Sequence, residues 1–300
     1  MDQRAVTSGG AGAVPVVRPA IQLTIGHQSC DLSQRALIMG VLNVTQDSFS
    51  DGGQFFNFQE ALSQAQAMVA AGADIIDIGG ESTRPYATPT SLPEELDRVI
   101  PIIEALRSRS EVLISIDTYK AAVAKVALKA GANLINDISA LRFDPNMVNL
   151  VAEAGVPIIM MHMQGTPQNM QVNPQYQNLI GDIKAFFQER LAFAVDHGVS
   201  RNQIILDPGI GFGKTWKHNL ELIQRLDEFQ ELGCPILLGP SRKAFIGKVL
   251  DLPVTQRDIG TLGTIAVALM RGANIIRTHN VLWGRQVITM VEAILHSYPK

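Results

Sequence analysis

From about Arg35 onward the chain repeats one pattern eight times: a short apolar run, a polar residue that ends it, then a stretch with helical spacing. The runs are ALIMGVLN (36–43), DIIDIGG (74–80), VLISIDT (112–118), LINDI (134–138), PIIMMHM (157–163), IILDPG (204–209), PILLGPS (235–241) and IIRTHN (275–280). They do not alternate apolar with polar, as expected for parallel strands buried on both faces. In FQEALSQAQAMVAAGA, Leu62, Ala65, Met68 and Val69 keep a three-to-four spacing. KAAVAKVALKAGA places Val123, Val126 and Ala127 on one stripe, and its Gly131 suits a left-handed C-cap. DPNMVNLVAEAG predicts a helix with Asp144 as cap and Pro145 at the first helical position. QNLIGDIKAFFQERLAFAVDHG and TIAVALMRGA follow the same rule. Eight near-equal strand–helix units in about 250 residues predict an α/β fold, a (β/α)8 TIM barrel, ahead of an open doubly wound sheet. IQLTIGHQSCDLSQR (21–35) reads as a hairpin covering the barrel's N-terminal mouth.

Residues 1–17 read as a flexible tail and 18–300 as a single barrel domain. The 300 residues are 46% hydrophobic and 18% charged, enough apolar material for a large core. A net charge of −3 without a basic cluster argues against a nucleic-acid partner. No apolar run approaches the roughly 20 residues of a membrane span, and the N-terminus lacks the apolar core of a signal peptide. Cys30 and Cys234 form no metal-spaced pair. A cytoplasmic location with no membrane partner is the expectation.

In such a barrel, chemistry collects at the C-terminal strand ends and the loops after them. Here those ends carry Asn43, Glu81, Asp117, Asn136 with Asp137, His162, Asp207, Ser241 with Arg242, and Arg277 with His279. One such residue is as readily a strand stop. Polar residues at nearly all eight ends point to one shared cup. Asp117, Asp207, Asn136 and Lys243 suit a flat, nitrogen-rich ring such as a pterin or purine; paired acids also suit acid–base work or a metal. Arg277 and His279 are two apart on the last strand and so share a face. Two cationic donors there suggest an anion site, with a structural salt bridge of Arg277 as the alternative. GPSRK (239–243) adds to it from strand seven.

Three stretches invite overreading. PGIGFGKT (208–215) resembles a phosphate-binding loop, but Pro208 stands at the first glycine position. In MMHMQG, His162 reads as a satisfied core histidine among methionines, or alternate side chains of the run line a pocket. FQERLAFAVDHG carries charges at helical spacing, the pattern of a solvated helix face.

Taken together, GVLNVTQDSFSDGG, DIIDIGGESTRP, SIDT, INDIS, MMHMQG, DPGIGFGK, SRK and RTHNV resemble, in order, the motif series of the dihydropteroate synthase family, from about Ile21 to the end of the chain. The resemblance implies a pterin-binding barrel that condenses 6-hydroxymethyl-7,8-dihydropterin diphosphate with 4-aminobenzoate, giving 7,8-dihydropteroate and pyrophosphate in folate biosynthesis. It implies that Asp117, Asn136, Met161, Asp207, Phe212, Gly239 and Lys243 hold the pterin. Asn43, Arg84, Arg277 and His279 would hold the pyrophosphate, with Asn43 also a Mg2+ ligand. Phe49, Thr83, Pro85 and Lys243 would meet 4-aminobenzoate, and Asp51, Lys243, Arg277 and His279 would serve catalysis. Val44 to Gly53 would then be a loop that closes over the substrates. The family also implies a homodimer through helices of the barrel's later half. The chain departs from the family pattern at Gln46, Tyr86, Ala244 and Asn280, which bears on loop behaviour and sulfonamide sensitivity rather than on the reaction. Two rivals share the pocket type: a pterin-binding methyltransferase acting on a corrinoid, and a non-catalytic pterin-binding protein. The methyltransferase needs no pyrophosphate clamp, and the binding protein would not require both elaborated loops.

Overall fold

The computed structural model describes residues 18–45, 53–83 and 87–297, with the backbone alone for 53–57. A two-stranded antiparallel hairpin comes first, β1 (Gln22–Ile25) and β2 (Gln28–Asp31). Eight parallel strands follow: β3 (Leu37–Asn43), β4 (Ile75–Gly79), β5 (Leu113–Asp117), β6 (Leu134–Asp137), β7 (Ile158–Met161), β8 (Ile204–Asp207), β9 (Leu237–Leu238) and β10 (Ile275–Thr278). Their spatial order is β8-β7-β6-β5-β4-β3-β10-β9. A parallel bridge from Leu206 to Ile236, with Leu206 N donating to Pro235 O at 2.9 Å, joins the two ends and closes the barrel. The eight runs of the sequence are these eight strands. β9 is only two residues long because Pro235 lies just before it and Pro240 just after, and proline supplies no ladder N–H.

The period of two decides what each strand offers the interior. Leu37, Met39, Ile75, Leu113, Leu134, Ile159, Ile205, Leu237 and Ile275 form the lower inward layers. Leu23, Ile25 and Leu32 of the hairpin region pack against them and are fully buried, so the hairpin plugs the barrel bottom as the sequence suggested. Each such side chain contributes roughly 1.5–3 kcal/mol by leaving water. The outward set, including Ile38, Leu42, Ile76, Ile78, Ile114, Ile116 and Ile276, packs beneath the surrounding helices.

The helices are α1 (Gly53–Ala70), α2 (Leu92–Arg107), α3 (Ala121–Ala130), α4 (Met147–Ala154), α5 (Leu179–Asp196), α6 (Trp216–Gln224), α7 (Ala244–Leu250), α8 (Asp258–Met270) and α9 (Val281–His296). Gly131 ends α3 at φ 115° with its N–H on Ala127 and Leu128 carbonyls, a backbone position that glycine adopts without strain. One expectation changes. α4 starts at Met147, not at Pro145, because Asp144 is used elsewhere: its Oδ1 accepts Asn146 N at 2.9 Å and its Oδ2 accepts Ala121 N at 2.8 Å, capping the neighbouring α3. α2 was not singled out from the sequence and keeps Pro101 in its interior on an exposed position. Among the described residues no helix is long and apolar enough to cross a membrane.

Candidate active site

The upper inward layer is where the interior turns polar. Asp77 (β4), Ser115 and Asp117 (β5), Asn136 (β6), Met161 (β7), Asp207 (β8) and Arg277 (β10) occupy the inward parity of their strands, and Asn43 closes β3 beside Gly79. The guanidinium of Arg277 is the hub. Its Nε donates to Asp77 Oδ2 at 2.6 Å and its Nη2 to Asp117 Oδ2 at 2.8 Å. Asn136 Nδ2 donates to the same Asp77 oxygen at 3.0 Å. Asp207 Oδ1 accepts Gly209 N at 2.7 Å, so the turn after β8 orients that carboxylate. Asp77 Oδ1 and Ser115 Oγ, on register partners, are buried without a hydrogen-bond partner among the described residues.

Burial and neighbours set the charges. Burial first, then the Asp77 charge, push Asp117 up to about 7 despite Arg277. Burial also raises Asp207. Burial and the Arg277 charge bring Lys243 down to about 8. For Arg277 burial opposes the charge, but Asp77 and Asp117 outweigh it and hold the guanidinium firmly protonated. His279 is pushed down to about 4 by burial and by Arg277, Arg242 and Lys243. It is thus a neutral imidazole at pH 7, with Nδ1 2.8 Å from Ser241 Oγ, and not the second cation that its spacing suggested. His279 lies just past the end of β10, close enough to Arg277 to feel its charge. The salt-bridge alternative for Arg277 describes its contacts here, and among the described residues Arg277 and Lys243 are cations of the cup.

One wall is apolar. Ile138, Met161, Met163 and Met170 cluster with Tyr119, Phe143 and Phe212, and Lys243 Nζ lies 4.2 Å from the Phe212 ring centre. Gly239 keeps the β9 end open, the nearest side chain to a Cβ placed there being Arg277 at 3.8 Å. The MMHMQG run resolves by parity. Met161 and Met163 line this wall, whereas His162 points outward among Tyr176, Phe186 and Phe187. The phosphate-loop likeness of PGIGFGKT fails on its lysine. Lys214 is buried, donating to Phe212 O at 2.9 Å and meeting His162 Nδ1 at 2.9 Å, so it staples two loops together.

Thr83 is half-buried at the start of the loop after β4. Phe49, Asp51, Arg84 and Pro85, with Gln46 and Tyr86, lie outside the described residues. Two groups near the cup were not foreseen. Asp77 was legible only as a charge inside an apolar run; with Ile75 and Gly79 it has the inward parity. Lys120 joins the carboxylates of Glu81 and Glu95 and donates to Thr90 O at 2.7 Å, pinning both stems of the loop that carries Thr83.

A flat ring lying on the methionine–phenylalanine wall would meet carboxylates able to accept ring N–H groups, with Asn136 and Lys243 as donors to its acceptors. Chain comparison agrees with that geometry. The family model described as "Pterin binding enzyme" matches residues 39–279. The dihydropteroate synthase of Synechocystis is 48% identical over 273 residues, covering 91% of this chain and 94% of its own. That of Haemophilus influenzae is 49% identical over 261 residues, covering 87% and 94%. Among solved structures, the Yersinia pestis dihydropteroate synthase with a sulfonamide drug complex superposes with a TM-score of 0.87 at 47% identity, covering 92% of this chain and 100% of that one. The Xanthomonas albilineans enzyme with 4-aminobenzoic acid gives a TM-score of 0.87 at 37% identity, covering 94% and 100%. With relatives of 48–49% identity matched over about nine-tenths of the chain, and the family model over residues 39–279, this protein belongs to the dihydropteroate synthase family of pterin-binding enzymes.

Proposed function

We propose that this chain joins 4-aminobenzoate to 6-hydroxymethyl-7,8-dihydropterin diphosphate, giving 7,8-dihydropteroate and pyrophosphate. The observation that carries the reading is the convergence of Asp117, Asn136, Asp207, Lys243 and Arg277 on one cup beside an apolar wall. The carboxylates of Asp117 and Asp207 accept the ring N–H groups, Asn136 and Lys243 donate to ring acceptors, and Met161 and Phe212 face the ring.

Arg277, His279 and Asn43 are assigned to the diphosphate; Arg277 and Asn43 come from the paired strands β10 and β3, and His279 follows β10. Breaking the methylene–oxygen bond sends its electron pair to pyrophosphate and leaves a cation on the pterin methylene, delocalised into the ring. The anilino nitrogen then forms the new C–N bond and releases a proton. Arg277 stabilises the departing anion, an effect worth about 3 kcal/mol for a well-placed group. His279, held neutral by its surroundings, donates a hydrogen bond or takes up a proton as the anion arrives. Asp51 is assigned to the developing cation through the family motif alone.

Mg2+ belongs to this reading. No group of three or more His, Cys, Asp or Glu among the described residues is arranged to hold a metal. In phosphate sites Mg2+ keeps several waters and is held largely by the substrate phosphates. Asn43, half-buried at the end of β3, offers one amide oxygen for it. The ion would supply charge neutralisation of the diphosphate.

A homodimer in the cytoplasm completes the proposal. Its support is the apolar outer surface of α8 and α9, where Ile259 is 81% and Met290 62% exposed beside Leu282 and Trp283, together with two unpaired thiols, Cys30 and Cys234. The test of function is pyrophosphate release from the pterin diphosphate. Release that depends on 4-aminobenzoate is expected. Tight pterin binding with no release would favour a binding protein, and methyl transfer to a corrinoid would favour the methyltransferase.

A further inference from the structure

The loop after β6 holds two successive non-glycine residues in the left-handed backbone region, Ala140 at φ 52° and Leu141 at φ 66°. L residues with a Cβ rarely adopt this conformation, and a pair in sequence persists only where its surroundings enforce it. Two charged side chains do so. Asp137, fully buried, accepts Ser139 N at 2.8 Å and Ser139 Oγ at 2.7 Å on Oδ1, and Leu141 N at 2.8 Å on Oδ2. Arg190, 8% exposed on α5, donates from Nε to Ala140 O at 2.9 Å and from Nη2 to Leu141 O at 3.4 Å. The helix face FQERLAFAVDHG is therefore not simply solvated: its arginine turns inward across about fifty residues of sequence to hold this loop. Arg142 extends the brace, donating to Ser139 O at 2.8 Å and to Met163 O at 3.0 Å.

The placement matters because Asn136 immediately precedes Asp137, and Ile138 and Phe143 flank the strained pair on either side. Both belong to the apolar wall that carries Met161 and Phe212. A relaxed loop would withdraw Ile138 and Phe143 from that wall and loosen the peptide that aims Asn136 at Asp77. We propose that Asp137 and Arg190 are positioning residues for the pterin ring, holding a strained turn whose geometry sets the pocket wall. Neither touches the ligand. The proposal rests on the pterin reading of the cup.

The test measures pterin affinity by calorimetry, with thermal unfolding alongside, for Asp137→Asn, Ala140→Gly and the double variant. Ala140 is the site for strain relief because glycine adopts its backbone angles freely and only one methyl is lost. Asp137→Asn is expected to weaken pterin binding about tenfold. Ala140→Gly alone is expected to bind within twofold of the parent, and adding it to Asp137→Asn to recover at least threefold of the loss. Arg190→Lys, which keeps charge but loses the planar fork, is expected to weaken binding about threefold; it carries the test if Asp137→Asn does not fold. Pterin affinity unchanged within twofold in folded Asp137→Asn or Arg190→Lys, even with a lower melting temperature, would overturn the proposal. So would a loss that Ala140→Gly does not recover. Failure of the parent protein to bind pterin would overturn the pocket reading itself, and is distinguished by that parent measurement.

Discussion

Replacing Asp117 by asparagine tests the electrostatic reading of the cup at its most exposed point of logic: a carboxylate kept for a ligand at the expense of the fold. Asp117 rises from 3.8 to about 7, driven by burial and by Asp77. At ~1.36 kcal/mol per pH unit that rise is worth about 4 kcal/mol between the two protonation states. The sign follows from proton binding. The folded state holds the proton more tightly than the unfolded state, so the group's stability contribution is present below pH 3.8 and lost as pH climbs through about 7. From pH 5 to pH 8 the loss is about 2–3 kcal/mol. Asparagine cannot ionise and lacks that loss. The 2.8 Å bond from Arg277 is already part of this balance, because the Arg277 charge opposes the rise and burial with Asp77 outweighs it. Urea unfolding of parent and variant at pH 5 and pH 8 should show the variant gaining about 2–3 kcal/mol on the parent as pH rises. Pterin affinity should fall at least tenfold in the same variant. A stability difference that does not move with pH would show that Asp117 is an ordinary ionised carboxylate and would remove the argument.

Other expectations are more local. Asp207→Asn keeps shape but removes a charged acceptor, an interaction of roughly 1.5–3 kcal/mol; calorimetry should show pterin binding at least tenfold weaker, and unchanged affinity would take Asp207 out of the site. Arg277→Ala should weaken pyrophosphate and the diphosphate substrate far more than a pterin lacking the diphosphate, and equal weakening of both would make Arg277 a support of the pocket alone. Lys214, brought down to about 7 by burial, favours the fold less as pH falls from its unfolded value of 10.5 toward 7. Lys214→Met should therefore gain about 2 kcal/mol on the parent between pH 9 and pH 7 in unfolding experiments; a pH-independent difference would mean that Lys214 binds its proton equally well folded and unfolded.

The barrel was legible because its signal is local and repeated. Eight apolar runs of similar length, separated by helical patterns with glycine ends, admit few other closed arrangements. The strand ends were legible for the same reason, and the period of two separated Met161 and Met163 from His162. Four expected site residues, Phe49, Asp51, Arg84 and Pro85, fall outside the described residues. What parity does not reveal is where a long side chain ends or what stands beside it. Arg190 has the spacing of a surface charge, yet its guanidinium reaches the carbonyls of Ala140 and Leu141. Asp77 lies inside an apolar run, and its role comes from Arg277, two hundred residues away in sequence. The charge on His279 depends on burial, on Arg277 of its own RTHN motif, and on Arg242 and Lys243, which the motif does not show. Pattern along the chain determined which elements form and which face each residue takes. Only closure of the barrel decided which charges share a low-dielectric interior, because electrostatic coupling follows distance through space and solvent exclusion, not separation in sequence.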